Sequence, residues 1–389
     1  MVKKSVLWLH KWLGLLSGLV VLIVSLTGCV YVFHDDLKVL FYPDKYYIAQ
    51  QSVNNQSAQA LPLSTLTAIA QNALPDGEEV SRIDLYPAKD RTWIFRAVKT
   101  NEEALTYAAY FKYNKRVFID PYTGKVQAIE NSKTEFFQLV LQLHMNLLLG
   151  KKIGHTVVSV STIMFLILTV TGLVLWWPKK WKFKTLKKGL SFDFSVKWKR
   201  LNYDLHNVLG FYSLLFALLL GFTGLLFSYP SLKEFYSNSF NKLSTNEPAK
   251  TIFFNTVPQQ KASSLDNALV YTLAKHPFAD MMSVRLKKNE DLHDIQVRIL
   301  KNRTGSFVWY YFNKNNGQIA KIKSSNETMA GDWFAGMNYD LHTGSFGGIF
   351  TKILYFLASL VCASLPVTGF IIWLNKGKKA KKSKSFKAK

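Results

Sequence analysis

The sequence predicts a membrane protein: a four-transmembrane-helix bundle built from two parallel repeats, carrying two small α+β domains outside the bilayer. Three observations carry this. First, Leu13 to Phe33, Thr156 to Trp177, Asn207 to Tyr229 and Ile353 to Leu374 are apolar and uncharged. Each reaches the ~20 residues that cross the hydrocarbon core as a helix. Second, the chain repeats itself. Asn202-Tyr203-Asp204-Leu205-His206 returns as Asn338-Tyr339-Asp340-Leu341-His342, each time ahead of an apolar run. His10-Lys11-Trp12-Leu13-Gly14 and His206-Asn207-Val208-Leu209-Gly210 share His-x-x-Leu-Gly, and His144 opens the remaining run. Every run contains a Thr-Gly: Thr27-Gly28, Thr171-Gly172, Thr223-Gly224 and Thr368-Gly369. Such internal repetition sets the architecture before any local reading.

The third observation is where the charge sits. The N-terminal arm, the stretch from Pro178 to Asn202 and the tail from Asn375 onward hold 20 of the 49 basic residues. The two long intervening segments are nearly balanced, with 12 basic and 13 acidic residues in Asp35 to Leu143, and 14 and 10 in Ser231 to Leu341. Lysine and arginine bias in short flanks sets orientation, which predicts cytoplasmic termini and a cytoplasmic middle loop. The net charge of +24 is then mostly a topology signal. Basic flanks without a recognition fold do not point to nucleic acid. They suit the anionic surface of a lipid bilayer.

In order, the expected parts are helix 1 (1–34), an outer domain (35–143), an outer segment with helix 2 (144–178) and a basic loop (179–204). Helix 3 (205–230), a second outer domain (231–341), an outer segment with helix 4 (342–375) and a basic tail (376–389) complete the second copy. Cys29 and Cys362 both lie in apolar runs, which excludes a disulfide framework and a cysteine-ligated zinc. Leu26-Thr27-Gly28-Cys29 is similar to a lipoprotein cleavage box, but Phe222-Thr223-Gly224-Leu225 keeps the Thr-Gly without Cys, so the Cys reads as incidental.

Within the first outer segment, Leu63 to Leu74 has helical spacing, with Ser64 as cap and Pro75 as stop. Ser81 to Tyr86, Thr92 to Val98 and Tyr107 to Lys112 read as strands. Val117 to Val126 reads as a strand, a tight Asp120-Pro121-x-x-Gly124 turn and another strand. The second segment repeats the order: a helix over Ser264 to Lys275, strands over Met281 to Leu286, Asp294 to Leu300 and Phe307 to Phe312, and a turn over Asn313 to Gly317.

Helix, strands and the Asp-Pro-x-Thr-Gly turn resemble the PepSY domain. Their placement between His-led spans resembles the PepSY-associated transmembrane family, from Val6 to about Leu374. The second copy departs at Asn313-Lys314-Asn315-Asn316-Gly317, which lacks Asp-Pro. The resemblance implies a protein of the bacterial inner membrane active in iron acquisition, some members of which bind two b-type haems and reduce ferric siderophores.

The histidines carry the chemistry. Ionisable side chains beside a span are costly and mark function. The predicted topology puts His10 and His206 at the cytoplasmic boundary, and His144 and His342 at the outer one. Parallel repeats are related by an axis along the membrane normal, so His10 faces His206 and His144 faces His342. Two facing imidazoles suit a six-coordinate haem, whereas zinc wants three or four ligands at one level. With the resemblance, the expectation is two haem b groups with these four axial ligands. Asp204 and Asp340, two residues before their His, either complete a carboxylate–imidazole site or orient the ring. Gly28, Gly224, Gly172 and Gly369 let a flat macrocycle approach, or serve close helix packing.

His155 and His34 are alternative outer ligands. A single helix from His144 to Trp177 would be about 50 Å long, more than a bilayer needs, so a break is expected near Gly150-Lys151-Lys152. His276 and His293 read as ordinary surface residues. The expected activity is electron transfer to a ferric siderophore or chelate outside, with Trp309, Tyr310, Tyr311, Lys301 and Arg303 as candidate contacts. The middle loop is too short for a nucleotide domain, so an external donor, a quinol or a cytoplasmic reductase, is implied. The rival classes are a non-catalytic haem- or iron-binding or permease-like protein, and a cofactor-free regulator of a peptidase.

Overall fold

The computed structural model describes residues 2–48, 59–178, 181–242, 263–286, 291–301, 307–324 and 329–387. The chain begins with α1 (Val2–Tyr31), α2 (His34–Phe41), α3 (Pro43–Tyr46) and α4 (Leu63–Asn72). Strands β1 (Val80–Leu85) and β2 (Trp93–Thr100), the short helix α5 (Tyr107–Tyr110), and strands β3 (Phe111–Ile119) and β4 (Val126–Asn131) follow. Next come α6 (Phe136–Asn146), α7 (Lys151–Trp176), α8 (Phe183–Leu190), α9 (Trp198–Tyr212), α10 (Leu214–Ser228) and α11 (Pro230–Asn241). The last part is α12 (Ser264–Lys275), β5 (Met281–Arg285), β6 (Leu292–Arg298), β7 (Phe307–Asn313), β8 (Ile319–Ser324), α13 (Ala330–Gly336), α14 (Asn338–Thr343) and α15 (Gly348–Lys387).

The chain divides into two units. One comprises residues 1–33, 140–232 and 341–389, and the other 34–139 and 233–340. In the first, three helices among the described residues are long and apolar enough to cross a membrane, or four if α9 and α10 form one span. Helix α1 packs on α7 and α15, while α9 packs on α15 and α10 on α7.

The repeat is broken at one place. The sequence predicts a continuous span over Asn207 to Tyr229, but α9 and α10 meet at a 62° bend. The junction is Ser213, whose N–H bonds to the carbonyls of Leu209 and Phe211. Its repeat counterpart Ser17 lies inside an unbroken α1, its hydroxyl bonded to Leu13 O at 2.9 Å. Gly210 lies one turn before the bend and accepts from the Ser213 hydroxyl at 3.4 Å, but Gly14 stands at the same place before Ser17 in the unbroken helix, so the sequence does not set the bend apart.

Helix α6 ends at Asn146 and α7 begins at Lys151. The reversal uses two left-handed leucines, Leu147 and Leu148, with φ of 55° and 56°. Each costs about 1–2 kcal/mol against the usual backbone. Three backbone bonds hold them: Leu147 N to Leu143 O, Leu148 N to Gln142 O and Leu149 N to Asn146 O. Gly154 is required beside this turn, since a Cβ there would lie 2.0 Å from the Asn146 carbonyl. The second half makes the same reversal with Gly344 and Gly348, both at positive φ.

The second unit differs from two separate α+β domains. Its strands form one antiparallel sheet in the order β4-β3-β2-β1-β5-β6-β7-β8. The seam pairs Arg82 with Arg285, Ile83 with Val284, Asp84 with Ser283 and Leu85 with Met282. A four-stranded copy alone would leave β1 or β5 as an open edge lined with apolar side chains, a liability that pairing removes. Ile83, Leu85, Met282 and Val284 share one buried face with residues of α4 and α12, giving a single core. On the other face at the seam, buried Asp84 meets Arg82, Arg96 and Ser283.

Three local expectations are corrected. Tyr107 to Lys112 is a helical turn running into β3 rather than a strand, and a fourth strand, β8, follows the second turn. Ser64 lies inside α4 rather than capping it, because the helix begins at Leu63. Its N–H and hydroxyl instead bond to Asp266 at 2.9 and 2.6 Å, and Ser263 caps α12 by accepting from the Asp266 N–H. The missing Asp-Pro costs the second turn nothing. Asn313 Oδ1 accepts from Asn315 N as Asp120 Oδ1 accepts from Tyr122 N, and Gly317 and Gly124 close both turns at positive φ.

Candidate functional site: two facing histidine pairs

His10 near the start of α1 and His206 in α9 bring their ring centres to 6.3 Å, with the planes at 89°. His144 in α6 and His342 in α14 stand at 6.1 Å and 71°. Each pair takes one ring from each half of the chain. All four rings are partly buried, so each ring's polar atoms call for partners from neighbouring backbone or side chains.

Those partners are the Thr-Gly dipeptides, and they come from the same half as the ring. His10 Nδ1 lies 2.9 Å from Thr171 Oγ1, and His206 Nδ1 lies 2.9 Å from Thr368 Oγ1. His144 Nδ1 lies 3.1 Å from Thr27 Oγ1, and His342 Nδ1 lies 2.9 Å from Thr223 Oγ1. The adjacent glycine makes room for the imidazole edge. A Cβ on Gly28, Gly172, Gly224 or Gly369 would meet the Cε1 atom of His144, His10, His342 or His206 at 3.4, 3.5, 3.4 and 3.1 Å. The glycines expected to admit a macrocycle therefore lie against the imidazole rings themselves. The repeated Thr beside each Gly was the signal for this socket.

Nε2 of these four rings makes no hydrogen bond among the described residues. Nor is there, among the described residues, a group of three or more His, Cys, Asp or Glu able to hold a metal. The donor set at each level is two imidazoles.

The remaining candidates lie elsewhere. His155 packs its ring on Tyr229 at 5.9 Å, and His34 is buried with Nε2 3.0 Å from Asp35. Asp204 is buried and pairs with Arg200 at 2.8 Å, because a residue two before His206 points to a different side of the helix. Asp340 is wholly buried. Tyr310, expected as a surface contact, is buried and hydrogen-bonds His276 Nε2 at 2.6 Å. His276 is thus held by a partner rather than free at the surface, and His293 lies against Phe312. Trp309 stacks on Phe307, Tyr311 is half-buried with Lys321 over its ring, and Lys301 pairs with Asp36 at 3.3 Å. Arg303 lies outside the described residues.

Sequence reasoning also missed Asn202, one turn before His206. Its Nδ2 donates to the Thr368 carbonyl at 3.1 Å. Its place in the repeated Asn-Tyr-Asp-Leu-His was visible, but its target on α15 was not.

No curated protein matches the chain. The family model described as the PepSY-associated TM region matches residues 7–376, nearly the whole length, and the chain belongs to that family of membrane proteins.

Proposed function

We propose that the chain is a transmembrane electron-transfer protein that holds two haem b groups and reduces a ferric siderophore or other ferric chelate outside a bacterial inner membrane. The ring separation carries this reading. Two imidazoles that face one metal ion from opposite sides, each at about 2.0 Å, have their centres roughly 6 Å apart. The pairs stand at 6.3 and 6.1 Å. Two donors are too few for a structural zinc but complete an iron whose other four ligands belong to a macrocycle. The residues fit that group: His10 and His206 would hold one haem, His144 and His342 the other.

When bound, haem supplies one-electron chemistry that no side chain here offers. The chain's part is to fix the imidazoles, exclude water and separate the levels. His10 and Thr27, which anchors His144, are 17 residues apart on α1, about 26 Å of helix rise. The levels therefore sit near opposite ends of one span. The lysine bias of the termini and middle loop supports a cytoplasmic inner level, to be supplied by a quinol or a cytoplasmic reductase.

The test is a reduced-minus-oxidised visible spectrum with a haem-to-protein ratio, followed by anaerobic addition of a ferric siderophore to dithionite-reduced protein. Two haems per chain and stoichiometric appearance of ferrous iron are expected. Protein free of haem sinks the reading. Protein that keeps its reduced spectrum with every ferric chelate removes the reductase activity and leaves binding alone.

A further inference from the structure

A histidine offers a metal only the nitrogen that does not carry the proton, so a two-histidine site works only if all its rings share the right tautomer. We infer that the hydroxyls of Thr27, Thr171, Thr223 and Thr368 fix the four histidines as the Nδ1–H tautomer, with the Nε2 lone pair left for the ligand. Only the purpose of this arrangement rests on the haem reading. The tautomer follows from hydrogen-bond accounting.

A threonine hydroxyl has one hydrogen and two lone pairs. In an apolar helix that hydrogen goes back to the carbonyl four residues earlier. Thr27 Oγ1 lies 2.7 Å from Ile23 O, Thr171 Oγ1 2.8 Å from Ile167 O, Thr223 Oγ1 2.6 Å from Leu219 O and Thr368 Oγ1 3.0 Å from Ser364 O. These separations place two oxygens together only with a hydrogen between them. The hydroxyl has then spent its proton and faces the imidazole as an acceptor. Nδ1 must be the donor.

At His144 a second acceptor gives the same answer. His144 Nδ1 lies 2.9 Å from the Val24 carbonyl, an atom that can only accept. That carbonyl belongs to the residue three before Thr27. One helical turn ending in Thr-Gly thus supplies a hydroxyl and a gap in side-chain cover, and the sequence writes that turn four times. The threonines are positioning residues, acting on a ligand through the ring they orient.

The experiment uses full-length protein with 15N-labelled histidine, purified without haem into lipid nanodiscs. Proton-coupled 15N spectra report which ring nitrogen is protonated, with assignment by single His→Gln substitution. All four rings should carry the proton on Nδ1. A proton on Nε2 at any of them overturns the inference for that ring. In a second arm, Thr171→Val and Thr368→Val, which keep shape and lose the acceptor, should mix the tautomers of His10 and His206. Haem retention at that level should fall about 10–100-fold, the usual effect of losing a group that orients a metal ligand. Thr→Ser should restore both. Valine variants that keep a pure Nδ1–H spectrum and full retention would overturn the role of the hydroxyl. If the wild-type protein shows four Nδ1–H rings but takes up no haem, the haem reading fails and the tautomer assignment stands.

Discussion

Asn202 and His206, one turn apart on α9, grip Thr368 of α15 from two sides: the amide holds its carbonyl at 3.1 Å and the imidazole meets its hydroxyl at 2.9 Å. The two contacts lock the height and rotation of the ring together. Asn202→Leu removes the amide, and losing one hydrogen bond to a carbonyl that keeps its own helical partner costs about 0.5–1.5 kcal/mol. On the proposed haem reading, the His10–His206 level should then show a broadened or high-spin spectrum, with the His144–His342 level unchanged. A spectrum identical to wild type would show that the carbonyl contact plays no part in holding His206.

The pairing across halves makes a sharper prediction. His10→Ala and His206→Ala should each remove the same haem, and His144→Ala and His342→Ala the other, halving the haem-to-protein ratio every time. Combining both substitutions of one pair should cost no more haem than either alone. Loss of both haems in all four variants would indicate that the levels are not independent.

The four glycines should not respond alike. A methyl at Gly369 would sit 3.1 Å from His206 Cε1, tighter than ordinary contact, whereas one at Gly172 would sit 3.5 Å from His10. Gly369→Ala should therefore lower haem retention at the inner level several-fold while Gly172→Ala leaves it near wild type. Valine at either position should displace the ring. Equal retention in both alanine variants would count against the close packing at Gly369.

The sheet seam gives a pH prediction. Burial alone would push the Asp84 carboxyl up, but Arg96 and Arg82, with Ser283, outweigh it and hold the carboxyl below its ordinary value. A depressed carboxyl contributes stability that is complete above its unfolded pKa, ~3.9, and is lost as pH falls through its folded value. Asp84→Asn should lower stability at neutral pH by about 3 kcal/mol, at the low end for breaking a buried pair because both arginines reach solvent. The difference from wild type should shrink below about pH 4. Thermal unfolding followed by circular dichroism across pH checks both, and a pH-independent difference would rule out the ion pair as its cause.

Much of this was legible because it is written twice. The four histidines, the Thr-Gly dipeptides and the helix-then-strands order of the outer segments recur at matching places, and repetition separates them from background. What stayed hidden depends on three-dimensional pairing. Helical spacing gives the level of Thr27 but not the rotation that turns its hydroxyl toward His144. The β1–β5 seam was invisible because Ile83, Leu85, Met282 and Val284 alternate as well in a four-stranded sheet as in an eight-stranded one. Ser213 bends its helix while Ser17 does not, so packing rather than residue type decides. Leu147 and Leu148 adopt left-handed backbone that leucine does not announce.

The division of labour between halves has a consequence for how such a protein can arise. Each half carries two histidines and the two sockets that hold them, yet each level needs a ring from both halves, and the seam needs one strand from each. A polypeptide of half this length, pairing with its own copy about a two-fold axis, would already possess both levels and the full sheet. Fusion of two such copies frees them to diverge, and the bend at Ser213 opposite the unbroken helix at Ser17 is a difference that no symmetric dimer could hold.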